Sequence, residues 1–522
     1  AGTETHRASN LDSERLRMSP AARGGTQPER AGRRALRALA GLSVLSLLLR
    51  VVGLGGRVFH WDEGRVGYWI LRYHETGQFH YRPIIHGPFI QHVDALLFHV
   101  VPATDFWARA PVAVVTAALP LSAWLFRRHL ADRETVALGL LLTVQPLLLY
   151  YSRFMRSDML VGAFAFGAFA LLVRAYDTRQ FRFAVAASGA LALAFASKEN
   201  AVLYVACFGG AAAVCYDHRL VRAAVHGDGV SRRVRRDLAA LRGWLDGRAG
   251  RLPTAVWVTS GLATLLGTFL AVTVVMYAPR PEIWGALSSF GSLQAVLDAA
   301  LIDTAAELTD TWFDRDGGGR SYLAFFHDTL ETLAFGAPVV LGFAGIGILA
   351  DGYGLGDGAE RRTLVAFTVY WAAASVVGYP IATDIQAPWA MTHIVLPLTV
   401  PAAVGVAALV GLVARELPTG GETVPDAIRG LVETDRRLEL AAPALVAVLL
   451  LSTGAVGVVG LNADYWNSAS QEDRQVLQWA QPGNDLQATM ADVEAIAAEN
   501  EGVDVLFYST ESGGATPFYV AN

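Results

Sequence analysis

The chain has 522 residues, of which 53% are hydrophobic and only 17% are charged, and its formal net charge is −5. Soluble proteins carry about 25% charged residues, so this composition indicates a chain whose solvent is partly lipid. The acidic balance gives no reason to expect a nucleic-acid partner, and two cysteines exclude a disulfide framework.

Long apolar runs predict about eleven membrane-spanning helices, because a bilayer core requires about 20 apolar residues per helix. The predicted spans are 36–56, 108–126, 134–151, 158–176, 183–197, 199–216, 254–278, 333–350, 363–380, 392–414 and 441–461. We expect residues 1–34 to be a disordered cytoplasmic segment and residues 35–462 to form the membrane domain.

Arginines predict the orientation of these spans. They concentrate in alternate loops, for example at Arg127 and Arg128, at Arg361 and Arg362, and throughout the basic linker 217–252. Loops rich in Lys and Arg face the cytoplasm, so the N-terminus is predicted to be cytoplasmic. An odd number of spans then predicts an external C-terminus in a multi-pass protein of the cell membrane.

Residues 463–522 differ from the rest, because ten acidic residues accompany a single arginine, Arg474. The pattern predicts helices near 470–481 and 486–500 and a strand at 503–509. The fold class is therefore an all-α polytopic membrane protein with a small external α/β segment at its C-terminus. We expect this segment to be truncated at residue 522 and the chain, which begins at Ala1, to be trimmed at both ends.

The first predicted outer loop begins with a pair of acidic residues, Asp62 and Glu63, and continues to His86. Carboxylates at a membrane boundary are costly unless they are solvated or paired, and perturbed acids in clefts often mark sites. Asp62 and Glu63 are candidate catalytic residues. The alternative is a solvated acid paired with Arg65. His86 is a candidate for hydrogen bonds to a substrate.

Three further outer elements carry unusual polar residues. Asp158 follows Arg153 and Arg156 at the start of a span. Either the helix dipole simply stabilises this acid at the helix N-terminus, or Asp158 belongs to a site with Asp62 in which the two arginines bind a phosphate. Lys198, which is the only lysine, lies between two short spans and either pairs with Glu199 or binds phosphate. Gln386 is a candidate contact for sugar or phosphate.

These residues, in this order, resemble the GT-C superfamily of membrane glycosyltransferases, in the branch of protein O-mannosyltransferases, lipid A aminoarabinose transferases and RgtA/B/C/D-like enzymes. The matching positions are the acidic pair at 62–63, the HGP segment at 86–88, Arg109, the Arg and Asp at 156 and 158, and Lys198. The motifs WDEGRVGYW, HGPF, SRFMRSD and SKEN look like the archaeal flippase-activity-associated family. A double proline is absent at 86–88, and so is the WWDYG signature of oligosaccharyltransferases.

The resemblance implies an inverting transfer of one sugar from an outward-facing polyprenyl-phosphate donor to a glycan, lipid or protein acceptor. It implies that Asp62 is the general base, that Glu63 and Asp158 orient the acceptor or tune Asp62, and that Lys198, Arg153 and Arg156 hold the lipid phosphate. No cofactor is firmly implied, and a divalent metal is possible but not predicted, because the lipid phosphate is already a good leaving group. The alternative is a non-catalytic partner in flipping or handling lipid-linked oligosaccharides. Membrane lipid is the remaining expected partner.

Overall fold

A computed structural model describes residues 27–250, 252–313, 321–354, 362–382, 386–416, 445–446, 448–460, 476–479 and 481–500. The helices of the first half are α1 (Gln27–Val51), α2 (Trp61–Thr76), α3 (Phe89–Leu97), α4 (Asp105–Ala117), α5 (Leu119–Ser122), α6 (Asp132–Val144), α7 (Pro146–Tyr151), α8 (Ser157–Thr178), α9 (Phe181–Phe195), α10 (Ala201–Val225) and α11 (Val230–Ala249). The remaining helices are α12 (Thr254–Tyr277), α13 (Phe290–Leu297), α14 (Thr304–Phe313), α15 (Tyr322–Gly336), α16 (Pro338–Gly352), α17 (Thr363–Ala382), α18 (Thr392–Glu416), α19 (Val448–Gly460) and α20 (Leu486–Ala497). Strand pairing within the described residues is limited to one bridge between Phe79 and Arg280.

Six of these helical segments are long and apolar enough to span a bilayer: Asp105–Phe126, Ser157–Thr178, Ala201–Val225, Thr254–Tyr277, Thr363–Ile381 and Pro388–Leu412. The pair α15 and α16 makes a seventh if it counts as one span. The chain is thus a helical multi-pass membrane protein, as its composition predicts, whereas the number of eleven spans stays a prediction. The predicted span 441–461 lies partly outside the described residues, which contain α19.

Two predicted spans are broken in the structure. The run 134–151 is divided between α6 and α7 at Gln145, because Pro146 follows it and cannot donate a helical hydrogen bond. The run 333–350 crosses a 95° bend between α15 and α16, where Pro338 begins the second helix. Gln145 joins the two breaks, since its Nε2 donates to the carbonyl of Gly336 at 3.2 Å.

The core lies around α8 and α18, which pack against each other and against α4, α9, α16 and α17. Glycines allow α16 and α18 to approach closely. A Cβ atom at Gly347 would collide with the carbonyl of Pro401, and one at Gly405 would collide with that of Phe343. Small residues at helix crossings are the usual means of close packing in membranes. Because α8 is held at the centre, Asp158 in its first turn is placed at one end of the bundle.

The N-terminal segment 1–34 is described only from residue 27, where α1 begins, so its expected disorder lies outside the described residues. Near the C-terminus, α20 occupies the position of the helix predicted at 486–500. Residues 476–479, part of the helix predicted at 470–481, form a turn. The strand predicted at 503–509 lies outside the described residues, and the external α/β segment stays a prediction.

Candidate active site

Glu63, in the first turn of α2, is fully buried and bound on all sides by protein donors. The Nε and Nη2 of Arg109 in α4 each lie 2.8 Å from one of its two oxygens. The backbone N–H groups of His60 and Met155 also donate to it, at 3.0 and 2.7 Å. Burial alone would raise its pKa, but Arg109 outweighs burial and lowers the pKa of Glu63 to about 2. Glu63 therefore joins α2, α4 and the loop before α8, and both of its oxygens accept hydrogen bonds from protein groups.

Asp62, its neighbour, has a side chain that is 25% exposed. Its Oδ1 accepts from the Nη2 of Arg65 on the same helix at 3.2 Å, which is the pairing expected of a solvated acid. Its other oxygen lies 2.8 Å from the Nη1 of Arg156 in the following outer loop. Asp62 thus pairs both with Arg65 of its own helix and with Arg156 of the next outer loop. It is the solvent-accessible carboxylate of the acidic pair.

Arg156 connects Asp62 to a second carboxylate, because its Nε lies 3.9 Å from Asp158 Oδ2. The other oxygen of Asp158 accepts from Lys198 Nζ at 2.7 Å. We call Asp62, Arg65, Arg156, Asp158 and Lys198 the charged cluster. It contains three cations and two carboxylates, and an anionic group such as a phosphate would balance the surplus positive charge.

The HGP segment positions the loop that carries Lys198. The backbone N–H of Gly87 donates to the carbonyl of Ser197 at 3.2 Å, and His86 Nδ1 lies 3.1 Å from Glu199 Oε2. A Cβ atom at position 87 would lie 2.6 Å from the carbonyl carbon of Ser197 and would collide with the Ala196 carbonyl. Only glycine therefore permits this contact between the two loops. His86 thus contacts Glu199, the residue that follows Lys198 of the charged cluster.

Two predicted substrate-binding residues lie elsewhere. Arg153 is buried, and its Nη1 and Nη2 donate to the carbonyls of Leu49 and Val52 at 2.6 and 2.8 Å, which closes the end of α1. Gln386 is also buried, and its Nε2 donates to Thr332 Oγ1 at 3.0 Å in α15. Both side chains therefore hold helices together in this structure.

Two residues from the segment that also carries Gln386 reach the charged cluster, a segment for which the sequence left pocket-lining and ordinary helix-entry roles open. His393 in α18 is buried, with its Nε2 3.5 Å from Asp158 Oδ1 and its Nδ1 bonded to the hydroxyl of Tyr204. Trp389 lies over the guanidinium of Arg156, with 4.4 Å between that group and the ring centre. Both residues belong to the segment APWAMTH at the start of an apolar span, and their position there was the only signal in the sequence.

The C-terminal part of the chain also reaches the site. Trp479 packs edge-on against Trp389, with 5.4 Å between ring centres, and its carbonyl accepts from His60 Nε2 at 2.7 Å. The hydroxyl of Tyr151 donates to the carbonyl of Val476 at 2.8 Å. Residues 476–479 therefore cover one side of the start of α2.

Potential metal ligands within the described part of the chain include His327, Asp328 and Glu331 of α15, whose ligand atoms lie within 4.8 Å of one another. This group stands outside the charged cluster. The prediction that no metal is required stays a prediction.

The chain is similar to known proteins in part of its sequence and in its fold. A family model described as dolichyl-phosphate-mannose-protein mannosyltransferase matches residues 85–225. No curated protein sequence matches the chain. Apo ArnT from Cupriavidus metallidurans is 16% identical, covers 88% of this chain and 80% of its own, and superposes with a TM-score of 0.54. ArnT bound to undecaprenyl phosphate is 18% identical with the same coverage and a TM-score of 0.51. The Archaeoglobus fulgidus oligosaccharyltransferase AglB, in complex with an inhibitory peptide and a dolichol-phosphate, is 14% identical, with 95% of this chain and 62% of AglB aligned and a TM-score of 0.49.

The likeness to ArnT extends over most of both chains and shows a shared fold. The family model covers the HGP segment, Arg109, Arg156, Asp158 and Lys198, and it begins after the acidic pair at 62–63. The narrower similarity to the archaeal flippase-activity-associated family stays a prediction. The chain is thus a multi-pass membrane protein that shares its fold with ArnT and whose residues 85–225 match the mannosyltransferase family model.

Proposed function

We propose that this protein is a membrane glycosyltransferase that moves one sugar, with inversion, from a polyprenyl-phosphate donor to an acceptor at the outer face of the membrane. The observation that carries the proposal is the charged cluster, in which one guanidinium contacts Asp62 and Asp158 and a lysine contacts Asp158 from the other side. Undecaprenyl phosphate is bound by ArnT, which shares the fold. The description of the matching family model names dolichyl-phosphate-mannose, which is a polyprenyl-phosphate sugar.

In the proposed reaction, Asp62 accepts the proton of the acceptor nucleophile as the nucleophile attacks the anomeric carbon. The bond between that carbon and the phosphate oxygen breaks, and the lipid phosphate leaves with the electron pair. Arg156 and Lys198 stabilise the negative charge that develops on the phosphate. Asp158 holds both cations in place, since each lies within 4 Å of it. Trp389, stacked on Arg156, restricts the guanidinium further.

Glu63 has a supporting role in this scheme. Its ion pair with Arg109 fixes the first turn of α2, and its bond from the Met155 N–H fixes the loop that carries Arg156. The buried carboxylate of Glu63 thereby fixes the positions of both Asp62 and Arg156. Preorganisation of this kind matters because misplacement by about 1 Å can cost about 100-fold in rate.

The proposed orientation rests on the arginine-rich loops, which we infer to lie on the side of the membrane opposite the charged cluster. Arg127 and Arg128 follow α5, residues 217–250 contain the end of α10 and all of α11, and Arg362 immediately precedes α17. With the basic loops in the cytoplasm, the N-terminus is cytoplasmic and the cluster faces outward.

The test uses membranes containing the full chain and a polyprenyl-phosphate donor with a radiolabelled sugar. We expect label to leave the lipid fraction, and Asp62→Asn to reduce that rate by about 100-fold or more. Glu75→Gln is the matched control, because Glu75 lies exposed at the other end of α2. Full activity in Asp62→Asn would refute the assignment. Label that crosses the bilayer but stays on the lipid would instead favour the non-catalytic role in handling lipid-linked oligosaccharides.

A further inference from the structure

A large groove lies between α8, α10 and α17, away from the charged cluster. Its volume is about 1060 Å³, at the upper end of the usual range for ligand sites. Aromatic side chains from all three helices form its wall, and the rings of Phe169 and Phe367 stack at 4.7 Å beside Phe208. Leu172 and Ala212 line the groove and are exposed, so it opens sideways at the outer surface of the helices.

Positive charge collects at one end of this groove. Arg128, Arg219 and Arg362 line it there. Arg219 lies 3.8 Å from Asp237. Arg362 is neutralised, because its Nη1 and Nε lie 2.6 and 2.7 Å from Glu134 and Asp351. Arg128 has no such carboxylate within ion-pair distance among the described residues, and it donates instead to a backbone carbonyl. The groove therefore combines an apolar wall with a cationic end.

Residues next to Arg128 add further positive charge to this end of the groove. Arg127 and Arg174 lie close enough that burial, Arg174 and Arg128 together lower the pKa of Arg127. Asp177 is the carboxylate shared by this group, and His129 Nε2 also lies 2.8 Å from it. The Nη1 of Arg174 is buried without a hydrogen-bond partner among the described residues. Three guanidinium groups thus surround one carboxylate, an arrangement that an anion would stabilise.

The groove is separate from the proposed reaction site. Asp158 is the second residue of α8, whereas Val173 lines the groove near the other end of that helix. At about 1.5 Å per residue, roughly 22 Å separates them along the helix axis. By the distribution of arginines, this end of the bundle is the cytoplasmic one, where membranes present anionic headgroups.

We propose that this groove is a binding site for an anionic glycerophospholipid of the cytoplasmic leaflet. An acyl chain lies along Phe169, Phe208 and Phe367, and the phosphate contacts Arg128. The sideways opening admits a lipid directly from the bilayer, and the surplus of arginine charge selects a negative headgroup over a zwitterionic one. The proposal is independent of sugar transfer.

The test uses the full chain, purified in detergent and stripped of lipid. Dioleoylphosphatidylglycerol and dioleoylphosphatidylcholine, which share their acyl chains, are added in turn, and retention is measured by native mass spectrometry and the unfolding midpoint by heating. We expect phosphatidylglycerol to be retained and to raise the midpoint, and phosphatidylcholine to do neither. Arg128→Gln should weaken the affinity of the chain for phosphatidylglycerol about tenfold. Ala212→Trp, which fills the groove, should abolish retention.

Two matched variants separate this site from general effects. Arg242→Gln removes an arginine whose side chain is 86% exposed on α11, outside the groove, and Ala213→Trp adds the same bulk one residue away on α10. Both should bind phosphatidylglycerol as the unmodified chain does. Equal retention of the two phospholipids, stabilisation by inorganic phosphate alone, or retention of undecaprenyl phosphate only would each overturn the proposal. If Ala212→Trp does not fold, Arg128→Gln carries the test.

Discussion

Replacing Glu63 with glutamine keeps the shape of the side chain but removes the charge that neutralises Arg109 inside the protein. Breaking one partner of a buried ion pair costs about 3–5 kcal/mol. The pKa leads to a similar magnitude, because its fall from 4.5 to about 2 corresponds to about 3 kcal/mol at about 1.4 kcal/mol per pH unit. We therefore expect Glu63→Gln to lower the free energy of unfolding at pH 7 by about 3 kcal/mol.

The effect has a defined pH dependence. Because the pKa of Glu63 is lower in the folded than in the unfolded chain, its stabilisation is fully present above about pH 4.5 and is lost as the pH falls towards 2. Thermal unfolding in detergent should show a large difference between the unmodified chain and Glu63→Gln at pH 7 and a smaller one at pH 3. Asp62→Asn is the control, because its partly exposed ion pairs contribute about 1 kcal/mol or less. A variant Glu63→Gln as stable as the unmodified chain at pH 7 would refute the reasoning.

Three further outcomes are expected. Gly87→Ala should lower both the unfolding midpoint and the transfer rate, since its Cβ would collide with the Ala196 carbonyl and overpacking costs about 1–3 kcal/mol; Gly64→Ala, where a Cβ meets no atom within 4 Å, should change neither. Lys198→Met should lower the rate at which label leaves the donor about 100-fold, whereas Lys198→Arg should keep most of that rate. Equal rates in the two variants would show that Lys198 does not bind the phosphate. Arg153→Gln should destabilise the chain by about 1–3 kcal/mol, through its two bonds to the end of α1, with an unchanged KM for the donor; a raised KM would return Arg153 to substrate binding.

Some features of this protein follow from local chemistry and could be predicted from the sequence. Apolar runs must be helical in lipid, so the ranges of α8, α12 and α17 agree with the predicted spans within about two residues at each end. The order of motifs likewise predicted a resemblance that agrees with the family model matching residues 85–225 and with the fold shared with ArnT. These inferences succeed because each depends on residues near one another in the chain, where hydrophobicity and residue type carry the information.

Contacts between distant residues decided the rest. The adjacent residues Asp62 and Glu63 read alike in the sequence, yet α4 supplies Arg109 to only one of them and leaves the other at the surface. Arg153 and Arg156 are three residues apart, and the tertiary structure directs the first to the end of α1 and the second to Asp62. A side chain's role depends on which partners the packed helices bring to it. The sequence by itself determined the helical membrane architecture and the order of the polar motifs, whereas only the packing of the helices decided which of those polar groups meet.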